Sequence, residues 1–351
     1  MNVSEFDFDL PPGLIAQEPP PVRGSSRLLV VRRDTREIEH THVARLADLL
    51  DKGDLLVVND TKVFPARLLG TRVPSGGAVE CLLLSKLDDD RWDALVHPGQ
   101  KLQPGARMTF RKPDAAAHAL HAEVLDQHFH GRRTIRLWSE DGESVDDAVD
   151  AIGHVPLPPY IKRDDQQDDR ERYQTVYARE RGSVAAPTAG LHFTPEILRA
   201  LDDRGIERTA ITLHVGYGTF QPVRVEHVEA HRLDPERFSI GEAAADTINR
   251  AKAEGRRIVS VGTTTTRALE TAVRAGRGVI TPQSGWSDLF IYPGFTFRIV
   301  SALMTNFHLP QSSLLMLVSA FGGRERVLSA YRDAVALEYR FYSYGDAMLI
   351  L

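Results

Sequence analysis

Between about Phe64 and Trp138 the chain reads as strand after strand, with no helical period to interrupt it. The runs are Ala66–Val73, Val79–Leu84, Trp92–His97, Ala106–Arg111, Ala119–Leu125 and Thr134–Trp138. Turn signals such as Pro74-Ser75-Gly76-Gly77 and Pro98-Gly99 separate them. Six short strands in succession suggest a small closed or half-closed β-barrel.

The flanks have a different texture. Leu28–Val31 and Glu37–Glu39 frame a hairpin around Arg33–Arg36. Val43, Leu46, Leu49 and Leu50 fall at helical spacing, with Thr41 as cap and Gly53 as stop. Leu55–Val58 reads as a buried strand. From about 151 onward helices and strands alternate. Thr194-Pro195 opens a helix that Gly205 ends, and strand Ile211–Val215 follows. Glu242–Glu254 is helical, and Ile258–Val261 is a strand running into a third helix. Ser312/Ser313 opens a helix to Phe321, and Val327–Glu338 looks helical too. Such alternation means α/β architecture. The expected fold class is α/β: an α/β (barrel-like) main domain with an inserted small antiparallel β-barrel domain. Residues 1–63 and 151–351 form the main domain and 64–150 the insert. A length of 351 residues suits about two domains.

Composition narrows the function classes. Hydrophobic residues at 42% and charged residues at 26% exclude disorder, collagen and coiled coil as whole-chain readings. The single cysteine, Cys81, excludes an intrachain disulfide and cysteine-based zinc or iron–sulfur sites. The acidic start, Met1 to Asp7, lacks an apolar signal region, and the longest apolar stretch, Leu314–Phe321, is too short to span a bilayer. A cytoplasmic protein without membrane contact, and a monomer, is the expectation. The net charge of −5 argues weakly against a nucleic-acid partner. Residues 97–138 run the other way, with seven basic residues against three acidic ones. Lys101, Arg107, Arg111, Arg132 and Arg133 within it are candidates for gripping a phosphate backbone; a solvated mixed-charge face is the alternative.

Ligands of α/β sheets sit beyond the carboxyl ends of strands. Asn59–Lys62, Ala186–Phe193, His214–Phe220, Gly262–Arg267 and Thr305–Pro310 all have that placement. The threonine run at 263–266 opens a helix, where free amides and the helix dipole favour an anion, with Arg267 adding donors. Simple capping, with Arg267 in a surface ion pair, is the other reading. His192, His214 and His308 suit general acid–base work, or are hydrogen-bonded structural residues. His227 and His231 have metal-binding spacing but lack the His-Glu-x-x-His order, and no metal is expected. Dinucleotide, P-loop and Gly-x-Ser-x-Gly motifs are absent.

Several longer strings occur in order. They include Phe6–Pro11, Leu14–Gln17, Ser26–Leu29, Asn59–Val63, Pro65–Leu68, Val155–Ile161 and Arg172–Ala178. Ser183–Thr194, His214-Val215-Gly216-x-Gly218-Thr219-Phe220, Val261–Thr264, Thr305–Pro310 and Tyr344–Met348 complete the set. With these strings the chain closely resembles, nearly end to end, the S-adenosylmethionine:tRNA ribosyltransferase-isomerases of queuosine biosynthesis. The chain departs from the family pattern where His231-Arg232-Leu233-Asp234-Pro235-Glu236 stands for His-x-Met-His-x-Glu, so that Asp234 replaces a histidine. Gln100 stands where Lys or Arg is common, and Ser313 where Thr is common.

The resemblance implies an α/β domain with an inserted β-barrel. It implies transfer and isomerisation of the ribosyl moiety of S-adenosylmethionine onto 7-aminomethyl-7-deazaguanine at the tRNA wobble position. The products are epoxyqueuosine-tRNA, adenine and methionine. S-adenosylmethionine is then a co-substrate, and no cofactor is implied. A sulfonium acidifies its neighbouring C–H, so a base is needed, and His192 and His214 are the candidates. Thr264, Thr265 and Arg267 are assigned to the methionine carboxylate. Asp60 is assigned to the methionine ammonium or the aminomethyl group, although a carboxylate would keep an attacking amine cationic. Asn306 and His308 are expected to line the pocket, with Thr188, Gly190, Phe193, Gly216, Gly218 and Thr219 as further substrate contacts. Rival readings are a non-catalytic RNA-binding protein and a nucleoside hydrolase acting on free S-adenosylmethionine.

Overall fold

The computed structural model describes residues 1–35, 37–112, 118–140, 142–220 and 222–351. Strand β1 (Arg27–Val31) and β2 (Ile38–His42) form the predicted hairpin, with Arg27 opposite His42 and Val31 opposite Ile38. The helix expected next is broken. A 3-10 turn, Val43–Arg45, leads into a single α-turn, α1 (Leu46–Leu49). Thr41 cannot cap it, because that residue is paired in β2 opposite Leu28.

β3 (Leu55–Asn59) is buried along its whole length, and β4 (Thr61–Val63) follows after one residue. The insert then supplies β5 (Arg67–Val73), β6 (Ala78–Lys86), β7 (Arg91–His97), β8 (Arg107–Arg111), β9 (Ala119–Gln127) and β10 (Arg132–Ser139). They close into a six-stranded barrel in the order β10-β7-β6-β5-β8-β9, every pair antiparallel. Period-2 alternation turns Val79, Cys81 and Leu83 of β6 into the barrel with Trp92, Phe110, Ile135 and Leu137. Helix α2 (Val145–Ile152), capped by Ser144, adds Ala148, Val149 and Ile152 to the same core.

The chain returns through α3 (Asp169–Arg172) and β11 (Glu180–Ser183), which pairs with β4 in parallel. Then come α4 (Pro195–Asp203), β12 (Glu207–Leu213), β13 (Glu236–Ile240), α5 (Glu242–Ala253), β14 (Ile258–Val261) and α6 (Thr263–Ala275). The last elements are β15 (Gln283–Ser287), β16 (Ala302–Asn306), α7 (Ser313–Gly322), α8 (Arg324–Ala336) and β17 (Ala347–Ile350). Thr194 caps α4 by accepting from the Ile197 amide at 3.3 Å, as the Thr-Pro pair predicts.

The main sheet has nine strands, ordered β15-β13-β12-β3-β14-β16-β17-β1-β2. It ends at β15 and β2, so closure is confined to the insert. β12, β3, β14 and β16 run parallel. One face carries Leu29, Val31, Leu55 and Val57 into a core shared with α5 to α8. The other carries Leu28, Val30, Leu56 and Val58 against α1 and α4. Burial on both faces explains the unbroken apolar runs of β1 and β3. Among the described residues no helix is long and apolar enough to cross a membrane.

Candidate active site

Parallel strands deliver their carboxyl ends to one side of a sheet. β14 and β16 are such neighbours, with Val261 opposite Met304. The turn after β14 and the segment after β16 therefore emerge together. They meet the 3-10 turn Thr188–His192 and the Val215 end of the strand-β12 loop. A cleft of about 520 Å3, its solvent-open space included, lies between them. Thr188, Val215, Thr263, Thr264, Asn306 and His308 line it, with Tyr160 and Tyr342 on its wall.

Helix α6 points its start into this cleft. Gly262, at φ +91°, turns the strand into the helix and is itself the N-cap, with no side chain to receive the first amides. Two threonines of the run are spent on the backbone. Thr265 donates to the Val261 carbonyl at 2.7 Å, and Thr266 to the Gly262 carbonyl at 3.1 Å. Thr263 and Thr264 are left facing the cleft beside an uncapped helix start. Arg267 is turned away. Its Nη1 donates to Glu236 at 2.6 Å, and its other donors take the carbonyls of Leu289 and Ser287. The helix start faces the cleft without the arginine.

Asn306 and His192 are coupled. The Asn306 amide donates to the Tyr342 carbonyl at 3.0 Å and lies 3.2 Å from His192 Nε2. An NH2 group only donates, so Nε2 accepts and the proton sits on Nδ1, 3.0 Å from Ser26 Oγ. Burial pushes the His192 imidazolium down to about 4, so the ring is neutral near pH 7. With both nitrogens engaged, His192 orients Asn306. Asn306 Oδ1 is left buried with no hydrogen-bond partner among the described residues.

His308 lines the cleft with Nε2 on Thr305 Oγ1 at 2.9 Å, and burial pushes its pKa down to about 3. His214 is elsewhere. Its ring lies on Gly182, its Nδ1 meets Thr61 Oγ1 at 2.8 Å, and only its neighbour Val215 reaches the cleft. Asp60 is also outside it, buried, with its carboxylate taken by Arg179 and Thr212, both at 2.7 Å.

Gly190, Phe193, Gly216 and Gly218 do not line the cleft. Phe193 is fully buried against Tyr177, and Gly190 is glycine because a Cβ there would lie 2.4 Å from the Tyr177 hydroxyl. Gly216 donates its amide to Glu236 at 2.9 Å, and Gly218 lies against Asp234. The side chain of Thr219 lies outside the described residues. His231 packs edge-on against Phe290, and no cluster of three metal-ligating side chains occurs among the described residues.

The family of proteins described as queuosine biosynthesis protein matches residues 3–350. The chain belongs to this family. Relatives named S-adenosylmethionine:tRNA ribosyltransferase-isomerase, from Heliobacterium modesticaldum and Moorella thermoacetica, are 50% and 51% identical over the whole of both chains. The crystal structure of S-adenosylmethionine tRNA ribosyltransferase from Thermotoga maritima is 36% identical, with a TM-score of 0.55, covering 99% of this chain and 100% of that one.

The barrel of this family member divides its basic residues. Lys101, Arg107, Arg111 and Arg132 are exposed, the three arginines beside Glu123, Glu140 and Asp93. Arg133 is 2% exposed and gives four of its five donors to the carbonyls of Gly99, Leu102, His128 and Arg132, so it is a buried strut of the barrel and does not face solvent. Alternation could have found this, since Arg133 shares its face with Ile135 and Leu137. Tyr160, Tyr342 and Ser343 were not anticipated as cleft residues. Tyr160 lies in a family string, but Tyr342, with φ +74°, carries no signal in the sequence.

Proposed function

We propose that the chain transfers and isomerises the ribosyl moiety of S-adenosylmethionine onto 7-aminomethyl-7-deazaguanine at the wobble position of tRNA. Epoxyqueuosine-tRNA, adenine and methionine are released. The observation that carries this reading is one cleft joining an uncapped helix start to the unsatisfied Asn306 acceptor. The methionine end of S-adenosylmethionine is zwitterionic. The amides at the start of α6, with Thr263 and Thr264, suit its carboxylate. Asn306 Oδ1 suits its ammonium.

A base removes a proton from the carbon beside sulfur. The resulting ylide carbon attacks the anomeric carbon, and adenine departs with the glycosidic electron pair and takes up a proton. The amine of the deazaguanine then attacks that same carbon, loses a proton and breaks the carbon's bond to the ring oxygen. The freed alkoxide displaces methionine from the sulfur-bearing carbon, closing the epoxide as methionine takes the carbon–sulfur electron pair. His308, a cleft residue with no hydrogen bond to its Nδ1 among the described residues, is the base we assign, in place of His192 and His214. The Tyr160–Tyr342 pair, centroids 3.8 Å apart, offers a planar ligand an aromatic wall. S-adenosylmethionine is a co-substrate, and tRNA makes the cytoplasm the expected site of action.

Ribose-labelled S-adenosylmethionine and precursor tRNA test this. Label entering RNA, with adenine release dependent on RNA, supports the transferase. Adenine release without RNA indicates a hydrolase, and RNA retention without turnover a binding protein.

A further inference from the structure

Next to the cleft lies a smaller recess of about 290 Å3, its solvent-open space included, lined by Arg23, Ser26, Arg172, His192, Ser343 and Tyr344 among others. Ser343 belongs to both spaces, and His192 joins them through its contact with Asn306. Two guanidiniums therefore stand on one small cavity. Arg23 donates to the carbonyls of Gln174 and Glu171, at 2.7 and 3.0 Å, and Arg172 to that of Pro20. These bonds fix the side chains without neutralising them. Among the described residues neither arginine has a carboxylate within 4 Å as an ion-pair partner, although Glu171 is adjacent in sequence to Arg172. Burial and the Arg172 charge lower the pKa of Arg23, and the Glu171 charge offsets part of this, so an anion here would relieve the repulsion that remains.

We propose that this recess seats a phosphodiester of the RNA strand, next to the nucleotide whose base enters the main cleft. The inference rests on the transferase reading and adds where the strand is held. The competing anion is the carboxylate of S-adenosylmethionine. That group arrives with an ammonium attached, which two unpaired guanidiniums would repel. A phosphodiester brings negative charge and no cation, and its oxygens suit the arginine fork.

The test uses an anticodon stem–loop carrying the precursor base, with single neutral methylphosphonates placed in turn around that base. One substitution lowers the affinity of the unaltered protein roughly five- to tenfold and its salt slope by about 0.7 to 0.9. Arg172→Gln starts at the weakened affinity and loses no more at that position, while Arg172→Lys restores most of the salt slope. The KM for S-adenosylmethionine stays within twofold. A thermal melt checks that each variant is folded. Equal losses in unaltered and variant protein at every phosphate overturn the proposal. So does a raised KM for S-adenosylmethionine with RNA affinity intact, which would make the recess a carboxylate seat. Failure of the transferase reading shows separately, as no ribose label in RNA with unaltered protein.

Discussion

Arg267 Nη1 donates to Glu236 Oε2 at 2.6 Å, and each of the two side chains is only 4% exposed. The other oxygen of Glu236 accepts the Gly216 amide at 2.9 Å. Helix α6, strand β13 and the loop carrying Val215 into the cleft are thereby tied by one buried ion pair. Removing one partner strands a charge away from water. Glu236→Ala is expected to cost about 3–5 kcal/mol in urea unfolding. The double change Glu236→Leu, Arg267→Met should cost less than the two single changes summed; strict additivity would deny the coupling.

Acid should weaken the fold through its buried histidines. His192 and His308 are held near 4 and 3 in the native state, against about 6.5 in an unfolded chain. Between those values the unfolded chain binds protons that the native one refuses, so stability falls as pH drops below about 6.5. Each histidine should lose about 2 kcal/mol between pH 7 and 5. His192→Asn should have a flatter pH profile of melting temperature, even if its starting value is lower. A profile as steep as that of the unaltered protein would contradict the assignment.

His308 and His214 should separate kinetically. His308→Ala is expected to lower kcat by about 10² to 10⁴, the range for a lost acid–base group. His214→Ala, which loosens the contact with Thr61 outside the cleft, should stay within about tenfold. Single-turnover adenine release at saturating substrates measures both. The reverse order would return His214 to the chemistry.

The barrel arginines make a second contrast. Arg133→Ala leaves four carbonyls short of a donor and should destabilise the barrel by about 2–4 kcal/mol. Its RNA salt slope should remain unchanged in folded protein. Arg107→Ala and Arg111→Ala should show the opposite pattern, with stability nearly intact and a shallower slope.

The barrel was legible because turn chemistry and period-2 burial act locally. All six strands lie within three residues of their expected ends. Helix starts with a side-chain cap, such as Thr194 and Ser312, were equally plain. The break at Val43–Arg45 was not, since Thr41 could serve a helix or a strand and the hairpin took it. In the site, the strand-end rule brought the right loops forward. Which side chains turn inward depends on partners far along the chain. Arg267 was lost to Glu236, Asp60 to Arg179 and His214 to Thr61. Asn306 and His308 stayed in the cleft, but Tyr342 entered it only because the chain folds back before β17.

S-adenosylmethionine is expected to lie with its carboxylate at the start of α6, its ammonium at Asn306 Oδ1 and its sulfonium in reach of His308. A crystal structure with S-adenosylmethionine and the anticodon stem–loop tests it most directly. The account predicts the carboxylate within hydrogen-bonding distance of the amides of Thr263 to Thr265. Density for that carboxylate beside Asp60 and His214, or on the barrel, would contradict it.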